Sequence, residues 1–327
     1  MCLLICKRIL FMKFATIGHL LVHETIALFP KDWVKGNLIV SPEMDIRGTK
    51  GYLTGVTLTA QQMVSLPLEE VRRIILDAAL FVQEELEVDL VQLGALTTSV
   101  TSGGEWLVEQ KEYNGYVNHG DSYTAAVTCH AVYKAMRMFQ RNPADQILSI
   151  VGAYGVIGEA ASKLLVPHFS HSILIGRREK KLKELGRGLN GDFETTTDLT
   201  LRNADVIVTA TNHPTALLRP EHLKKNAIVI DVSQPPNLSL EVCQKRPDVC
   251  RIDGGYVDFP VKIPIPGMPM GKNFACIAEV IMQAMENERE NHVGSIDLKH
   301  LQKTERWAEK YGFTLQELTN FGKPIPG

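Results

Sequence analysis

The 327-residue sequence lacks an excess of charge of either sign and lacks any long apolar run. Its 35 basic and 37 acidic residues give a formal net charge of −2. This balance excludes the overall basic excess that is typical of proteins that bind nucleic acids. No stretch reaches the length that a membrane-spanning helix needs. The remaining composition, 45% hydrophobic and 22% charged, is typical of a globular protein with a sizeable core.

Cysteine is also sparse, and none of the six cysteines is spaced for a zinc site or a disulfide framework. We therefore predict no metal site and a reducing, cytoplasmic setting. The apolar segment Met1–Phe11 is interrupted by Lys7 and Arg8 and is followed by no small-residue cleavage site. It differs from a signal peptide in both respects, and Met12 is the alternative start of the chain.

Asn142 and Pro143 break the chain into two parts with different patterns. Before the break, apolar spacing predicts helices over Leu68–Leu86 and Asp121–Phe139. Short β-rich segments lie among them, and we expect Thr97–Glu105 to be a polar loop. The predicted strands of this part are Phe14–Gly18, Leu38–Val40, Gly51–Thr59 and Asp89–Leu96.

After the break, short strands that are apolar throughout alternate with helices, as in a parallel sheet covered on both faces. This rhythm predicts an α/β fold with a doubly wound Rossmann-type parallel sheet, preceded by an N-terminal α/β substrate domain and followed by C-terminal helices. We expect a substrate domain over 12–144, a dinucleotide-binding domain over 145–270 and the helices over 271–327. The predicted strands are Gln146–Val151, Ser172–Ile175, Ala204–Thr209 and Ala227–Val232, and the predicted helices are Gly158–Leu165, Glu179–Leu185, Asn273–Asn287 and Thr304–Tyr311.

A glycine-rich turn follows the first of these strands and opens a helix. Gly152 would make the tight turn, Gly155 would let the backbone approach a pyrophosphate, and Gly158 would permit close packing of helix on strand. The helix N-terminus then offers free N–H groups to the phosphates. The residues that we expect to bind the cofactor are Gly152, Ala153, Tyr154, Gly155, Val156, Ile157, Arg177, Arg178, Thr209, Ala210, Thr211 and Asp231.

The end of the second strand indicates which dinucleotide fits. NAD enzymes usually carry an acid there, which binds the ribose hydroxyls. This chain carries Arg177 and Arg178 instead, and guanidinium groups pair well with a 2′-phosphate. We therefore predict NADPH as the cofactor. Asp231 follows a later strand, where a functional acid and a structural cap are equally consistent with the sequence.

Cys276 lies in the predicted first turn of an amphipathic helix, where the helix dipole and Lys272 would both favour the thiolate. A thiolate beside a nicotinamide suits thioester chemistry. A buried, inert thiol is the alternative at this position. Cys129 has core neighbours along its helix, whereas Cys243 and Cys250 flank a charged stretch and are predicted at the surface.

Four patches of the sequence resemble the cyanobacterial long-chain acyl-[acyl-carrier-protein] reductases. They are Phe14–Leu20, Leu93–Thr97, His119–Ala125 and Phe274–Glu279, and the glycine turn is shared as well. The resemblance implies NADPH-dependent reduction of a fatty acyl thioester to an aldehyde, with Cys276 as the nucleophile. The chain departs from the family at Arg177-Arg178 and over the proline-rich Gly254–Met270, which leaves the acyl chain length open.

The mechanism that the resemblance implies has two steps, an acyl transfer to Cys276 and a hydride reduction. Backbone N–H groups near Cys276 would stabilise the oxyanion, with Ser122 or Thr124 as weaker donors, and His119 would donate a proton. The acyl group would arrive on an acyl-carrier protein or on coenzyme A. Two alternatives remain: a shikimate-type NADP-dependent alcohol or ketone dehydrogenase, whose Asn-Val-Thr-x-Pro-x-Lys motif is absent, and a non-catalytic NADPH/acyl-binding protein. The sequence leaves the oligomeric state open.

Overall fold

The computed structural model describes residues 11–263 and 271–326. The predictions for Met1–Phe11 and Gly254–Met270 therefore lie in part outside the described residues. Two sheets dominate the described chain, and each is built from one side of the break at Asn142-Pro143. No helix in the described ranges is both long enough and apolar enough to cross a bilayer.

The second sheet consists of six parallel strands in the spatial order 3-2-1-4-5-6 of the classical dinucleotide-binding fold. Its strands are almost wholly buried because apolar clusters cover both of its faces. The prediction of a doubly wound parallel sheet is confirmed. In chain order the strands are β8 (Ile147–Val151), β9 (His171–Ile175), β10 (Phe193–Thr196), β11 (Val206–Thr209), β12 (Ile228–Asp231) and β13 (Cys250–Asp253), which follow the seven strands of the first sheet.

The first sheet is mixed. Its long central strand β5 pairs in parallel with β1 and antiparallel with β3 and β4, while β6 and β7 continue the parallel side. The N-terminal α/β expectation is thereby confirmed as a fold, with three strands that the sequence pattern did not reveal, β2, β4 and β7. The strands are β1 (Phe14–Leu20), β2 (Val34–Lys35), β3 (Leu38–Val40), β4 (Met44–Ile46), β5 (Thr49–Thr59), β6 (Leu90–Leu93) and β7 (Tyr116–Asn118).

Ten α-helices and four further short strands complete the described chain. Both long helices of the first part have the predicted position to within one or two residues. The strands are β14 (Tyr256–Asp258), β15 (Lys272–Phe274), β16 (Thr319–Asn320) and β17 (Lys323–Pro324). The helices are α1 (Ala60–Ser65), α2 (Leu68–Glu85), α3 (Leu96–Val100), α4 (Glu105–Val108), α5 (Asp121–Met138), α6 (Val156–Leu165), α7 (Glu179–Gly186), α8 (Leu240–Lys245), α9 (Ala275–Met285) and α10 (Leu298–Tyr311).

The predicted loop over Thr97–Glu105 is wrong, because this segment contains α3 and begins α4. Its threonine hydroxyls donate to backbone carbonyls: Thr101 Oγ1 donates to the Thr97 carbonyl at 2.6 Å, and Thr97 Oγ1 donates to the Ile17 carbonyl of β1 at 3.0 Å. Polar residues of this kind are equally compatible with a loop when only their composition is considered.

Helix α9 lies in the same apolar core as strands β1 and β6 and helices α5 and α10. Ala278, Ile281 and Met282 are fully buried on it, so its position is fixed by packing on several sides. Because α9 begins directly after the short strand β15, this packing also fixes the place of its first turn.

Candidate active site

A single cleft with a volume of about 1250 Å³ lies at the carboxyl ends of the parallel strands of both sheets. From the first sheet it is lined by residues that follow or end β1, β5 and β6, and from the second by the turns after β8, β9, β11 and β12. Ligands of open α/β sheets bind outside the carboxyl ends of the strands, so this cleft is the expected place for a site.

The glycine turn forms one wall of the cleft, at the point where the strand order of the second sheet reverses. Gly152 has φ of +88°, and a Cβ at this residue would lie 2.8 Å from the carbonyl carbon of Ala210. Only glycine fits such a close approach of two backbone segments. Gly155 follows as the N-cap of α6, and a Cβ there would lie 3.2 Å from the Gly152 carbonyl oxygen.

Beyond the glycine turn, the cleft is bordered by cationic side chains. Arg177, Arg178 and Lys181 line it next to β9, and Lys181 Nζ lies 5.8 Å from the centre of the Tyr154 ring. None of these three cations has an ion-pair partner among the described residues, and no carboxylate of the described chain lines this end. The charge therefore suits a phosphate group here.

Most of the predicted cofactor residues line the cleft. They are Gly152, Tyr154, Gly155, Val156, Ile157, Arg177, Arg178, Ala210 and Thr211. Three do not line it, and their placement there was wrong: Ala153, Thr209 and Asp231 are buried in the sheet region. Asp231 accepts hydrogen bonds from Thr209 Oγ1 at 2.6 Å and from Arg251 Nε at 3.1 Å, so it is a structural acid.

Cys276 lies in the same cleft, in the first turn of α9. The turn is held against the start of α5: a Cβ on Gly120 would lie 2.5 Å from the Cα of Cys276. Ala275 N–H donates to the Gly255 carbonyl at 2.7 Å. The prediction that this residue opens a helix is confirmed.

The expected activation of the thiol by Lys272 is wrong, because the Lys272 ammonium lies 2.5 Å from Asp258 Oδ1 across the β14–β15 pair. Burial, followed by the charges of Asp121 and Glu279, raises the pKa of the Cys276 thiol to about 12. The N–H groups of Ile277 and Cys276 lower the pKa by less. The resting protein therefore holds a thiol, and its deprotonation requires a base.

Asp121 is the acid that lines the cleft beside Cys276, and no other carboxylate of the described chain lines it. Burial and the charge of Glu279 raise the pKa of Asp121 well above its usual range. A carboxylate with a raised pKa is a stronger base than an ordinary one, and its proton affinity is closer to that of a thiolate. The sequence analysis did not single out this residue, although it stands within the His119–Ala125 patch.

His119 and Ser122 are not brought to the cleft. His119 Nδ1 accepts a hydrogen bond from the Asp121 N–H at 2.9 Å, and the other ring nitrogen faces the Gly294 carbonyl. Burial lowers the pKa of His119 to about 4, so the ring is neutral and both nitrogens are engaged. Ser122 is 1% exposed and lines a separate cavity on the opposite side of α5. Neither side chain is placed to act on a group bound at Cys276.

The end of the cleft away from the arginines is apolar. It is lined by side chains from β1, from the one-turn helix His23–Leu28 after it, and from β3, β5 and α1. A cleft with cations at one end and apolar side chains at the other matches a ligand that has an anionic end and an apolar end. The apolar lining residues include Leu20, Leu21, Leu28, Phe29, Trp33, Ile39, Leu53, Val56 and Val64.

His19 is a polar side chain that lines the cleft and to which the sequence analysis gave no role. Its Nδ1 lies 2.7 Å from the Leu20 carbonyl, and its buried Nε2 has no hydrogen-bond partner among the described residues. Burial lowers the pKa of His19, so the ring is neutral and Nε2 offers a lone pair near the cleft. The sequence feature that could have identified His19 as a cleft residue is its position at the end of β1, next to Gly18.

Of the remaining cysteines, Cys129 is buried in the core on α5, as predicted. Cys243 and Cys250 are half-buried rather than fully exposed. Neither lines the cleft, and burial raises the pKa of both thiols. Among the cysteines in the described ranges, Cys276 is thus the one that a bound ligand can reach.

Comparison with known proteins agrees with the dinucleotide site. Residues 134–253 match the family model for shikimate/quinate 5-dehydrogenase. The match covers the whole parallel sheet and its glycine turn, and it supports an NAD(P)-dependent oxidoreductase.

Two curated relatives are similar over longer stretches. The chain is 27% identical over 293 residues to aminotransferase PigE of Serratia sp., covering 84% of this chain and 33% of that protein. It is 28% identical over 186 residues to the long-chain acyl-[acyl-carrier-protein] reductase of Synechococcus elongatus, covering 53% of each. The chain therefore spans about a third and about half of these relatives.

Among solved structures, the nucleotide-binding domain of glutamyl-tRNA reductase from Thermoplasma volcanium is 21% identical, with a TM-score of 0.29 over 37% of this chain and 83% of that one. The NAD-dependent malic enzyme of Thermotoga maritima is 14% identical, with a TM-score of 0.45 over 97% of this chain and 80% of that one. At these scores neither similarity bears on the function.

Proposed function

We propose that this protein reduces a fatty acyl thioester to an aldehyde with NADPH, through an acyl group carried on Cys276. The observation that carries the proposal is the position of this thiol within one continuous cleft. The glycine turn and three unpaired cations lie toward one end of the cleft, and apolar side chains line the other. The partial similarity to an acyl-[acyl-carrier-protein] reductase supports the same reaction.

The residues around the glycine turn fit a dinucleotide phosphate. Gly152 lets the turn pack on the Ala210 backbone, Gly155 at the start of α6 lines the cleft without a side chain to block a pyrophosphate, and Arg177, Arg178 and Lys181 suit a 2′-phosphate. A dinucleotide held there would supply a hydride to the carbonyl carbon bound at Cys276.

In the first step the Cys276 sulfur attacks the thioester carbonyl, and the bond from the acyl carbon to the carrier sulfur breaks. Asp121 takes the thiol proton and returns a proton to the departing thiolate, so the carrier leaves as a thiol. The raised pKa of Asp121 makes its carboxylate a suitable acceptor for this proton. The product is an acyl thioester on Cys276.

The negative charge that develops on the carbonyl oxygen needs donors close to the sulfur. The N–H groups of Cys276 and Ile277 lie in the first turn of α9, where backbone N–H groups have no partner within the helix. They are the donors that we assign to the oxyanion, in place of Ser122. After reduction, collapse of the hemithioacetal releases the aldehyde and returns the Cys276 thiol.

The apolar end of the cleft gives the acyl chain its place. Its leucine, valine and aromatic side chains would remove the chain from water, at about 0.8 kcal/mol for each buried methylene. We propose that 12–144 and the helices after 271 form this acyl-binding part, and that 145–270 binds the cofactor. An acyl-carrier protein or coenzyme A would deliver the acyl group.

The test is incubation of the protein with NADPH and a series of acyl thioesters of increasing chain length, with mass spectrometry for the aldehyde and for acyl-protein. We expect aldehyde and an adduct on the peptide that contains Cys276, and a specificity constant that rises with chain length until the apolar end is filled. Turnover that is independent of chain length would contradict the assignment of that end. An absence of aldehyde and of adduct across the series would favour a non-catalytic NADPH- and acyl-binding protein.

The family match over 134–253 favours a second candidate, an alcohol or ketone dehydrogenase with direct hydride transfer. That match ends before Cys276 and includes none of the apolar side chains that follow β1. The two candidates differ in a covalent intermediate, because a direct hydride transfer forms no adduct on the protein.

A further inference from the structure

A second polar cavity, of about 470 Å³, lies behind α5 between the α9–α10 connection and the start of α10. Glu288, His292 and His300 each present one ligand atom to it, and these atoms all lie within 4.8 Å of one another. The sequence analysis predicted no metal site, because it searched for cysteine and histidine at short zinc-finger spacings.

Each of the three residues has a buried polar atom without a hydrogen-bond partner among the described residues: Glu288 Oε2, His292 Nε2 and His300 Nδ1. The side chains of His300 and Glu288 are 6% and 9% exposed. His292 Nε2 lies 3.4 Å from Glu288 Oε2, which is longer than a good hydrogen bond. Three unpaired buried atoms at one point are costly unless a ligand joins them.

The opposite side of His300 is arranged as in a metal-bound histidine. Its Nε2 lies 3.1 Å from Glu279 Oε1, and Glu279 Oε2 accepts the Tyr123 N–H at 2.7 Å. A carboxylate at Nε2 places the ring proton there and leaves the Nδ1 lone pair free toward the cavity. This carboxylate–histidine pair orients the ring before any cation is bound.

We propose that Glu288, His292 and His300 bind a divalent transition metal of the zinc class, with water from the cavity at the remaining position. Two imidazole nitrogens and one carboxylate oxygen are a common ligand set for zinc, whereas magnesium prefers oxygen alone. The ligands must move together by about 1 Å, because atoms bound to zinc at about 2.1 Å lie roughly 3.4 Å apart in a tetrahedron.

Lys303 competes with such a cation. Its ammonium contacts Glu288 Oε1, the other oxygen of the same carboxylate, and it lies 5.2 Å from the centre of the Trp307 ring. Lys299 and Arg306 also line the cavity, together with Glu290 and Asp297. Lys303 and a metal would thus compete to neutralise the Glu288 carboxylate. The unpaired Oε2 favours the metal.

A metal at this point would tie the α9–α10 connection to both helices that meet at Cys276. His292 N–H donates to the Val117 carbonyl at 2.8 Å, just before α5, and Glu279 lies one turn after Cys276 in α9. We expect the bound metal to stabilise this junction rather than to touch the acyl group, because the main cleft does not include the three ligands.

The test is titration of chelator-treated protein with ZnCl2, read by calorimetry and by metal analysis after desalting. Cysteine is a zinc ligand, so the titration is repeated in Cys276→Ser. We expect about one zinc per chain in both proteins, a higher melting temperature with zinc, and no comparable effect of MgCl2. A chain that binds no zinc, or a wild type whose zinc is lost in Cys276→Ser, would overturn the proposal.

Three variants and one control locate the cation. His292→Ala should lose stoichiometric zinc, while His130→Ala, which removes a surface histidine paired with Glu305, should keep it. Glu279→Gln should weaken zinc binding by about 10- to 100-fold through His300. Lys303→Met, which remains a test if His292→Ala fails to fold, should bind zinc more tightly because a competing cation is gone. Zinc retained in His292→Ala, or bound more weakly in Lys303→Met, would contradict the assigned ligands.

Discussion

Gly120 and Cys276 touch across the junction of α5 and α9, and Gly120 has φ of +70°. A side chain at Gly120 therefore meets two obstacles, a backbone conformation that disfavours it and the Cα of Cys276 at 2.5 Å from its Cβ. The position of the candidate nucleophile thus depends on the absence of one side chain on a different helix.

We predict that Gly120→Ala lowers the free energy of unfolding by about 2–4 kcal/mol, from the left-handed conformation and from overpacking. It should also displace the first turn of α9 and abolish acyl transfer. Denaturant unfolding and adduct formation measure the two effects. Gly48→Ala is the matched control: φ is +88° there, but nothing lies within 4 Å of the added Cβ. Equal behaviour of the two variants would mean that contact with Cys276 is unimportant.

The second prediction concerns Asp121. Asp121→Asn removes a negative charge that raises the pKa of the Cys276 thiol, so the thiol pKa should fall from about 12. Alkylation by iodoacetamide at pH 8 should become about three- to tenfold faster, since more thiolate is present. Acyl transfer should become slower, because asparagine cannot take the thiol proton.

The measurement is the rate of alkylation between pH 7 and 11, beside the rate of adduct formation. The wild-type alkylation rate should still be rising at pH 11, whereas that of Asp121→Asn should begin to level off at lower pH. Asp32→Asn changes an exposed acid elsewhere and should alter neither rate. If both rates rise in Asp121→Asn, the residue affects the thiol only through its charge and is not the base.

Local patterns predicted the Rossmann-type sheet and its glycine turn, but they did not predict the direction in which side chains at the strand ends point. Gly152 and Arg177 were identified because a strand, a turn and a helix in sequence define their places. Asp231 also follows the end of a strand, but its side chain points into the sheet region toward Arg251, 20 residues away. When every residue of a strand is apolar, the sequence does not show toward which face of the sheet each side chain points.

The proposed acyl-transfer site depends still more on distant contacts. The tautomer of His119 is set by Asp121 and by Gly294, and the pKa of Cys276 by the burial that α5 and α9 create together. The metal-binding cluster joins residues of one connection and one helix whose spacing matches no short motif. Such relationships arise from packing, which the order of residues alone does not specify.

The third prediction concerns the cofactor. Replacement of Arg177 and Arg178 by alanine should weaken NADPH binding at least roughly tenfold, because a charge-assisted contact contributes about 1.5–3 kcal/mol. NADH binding should be nearly unchanged, and fluorescence titration measures both. Lys183→Ala serves as the control, since Lys183 pairs with Glu179 on the same basic helix and does not line the cleft. Equal affinity of the wild type for the two cofactors would contradict the assignment.

The fourth prediction separates binding from folding in the glycine turn. Gly155 has a negative φ, and its Cβ would lie no closer than 3.2 Å to the surrounding backbone. Gly155→Val should therefore keep the fold while its side chain blocks the approach of a pyrophosphate. Calorimetry should show no NADPH binding, and the circular dichroism spectrum should match that of the wild type. Normal NADPH binding by this variant would place the phosphates elsewhere.

The last prediction concerns Cys276 and distinguishes the proposed reaction from both alternatives. Cys276→Ser preserves the size of the side chain, but a hydroxyl is a far weaker nucleophile than a thiol at the same position. The variant should bind NADPH as the wild type does, form no acyl adduct and produce no aldehyde. Cys243→Ser, which alters a half-buried thiol away from the cleft, should retain all three properties. Wild-type protein incubated with a thioester but without NADPH should accumulate the adduct on Cys276, because reduction cannot follow. Full turnover in Cys276→Ser would indicate direct hydride transfer. An adduct on Cys129 would show that the buried thiol within α5, and not the one that opens α9, carries the acyl group.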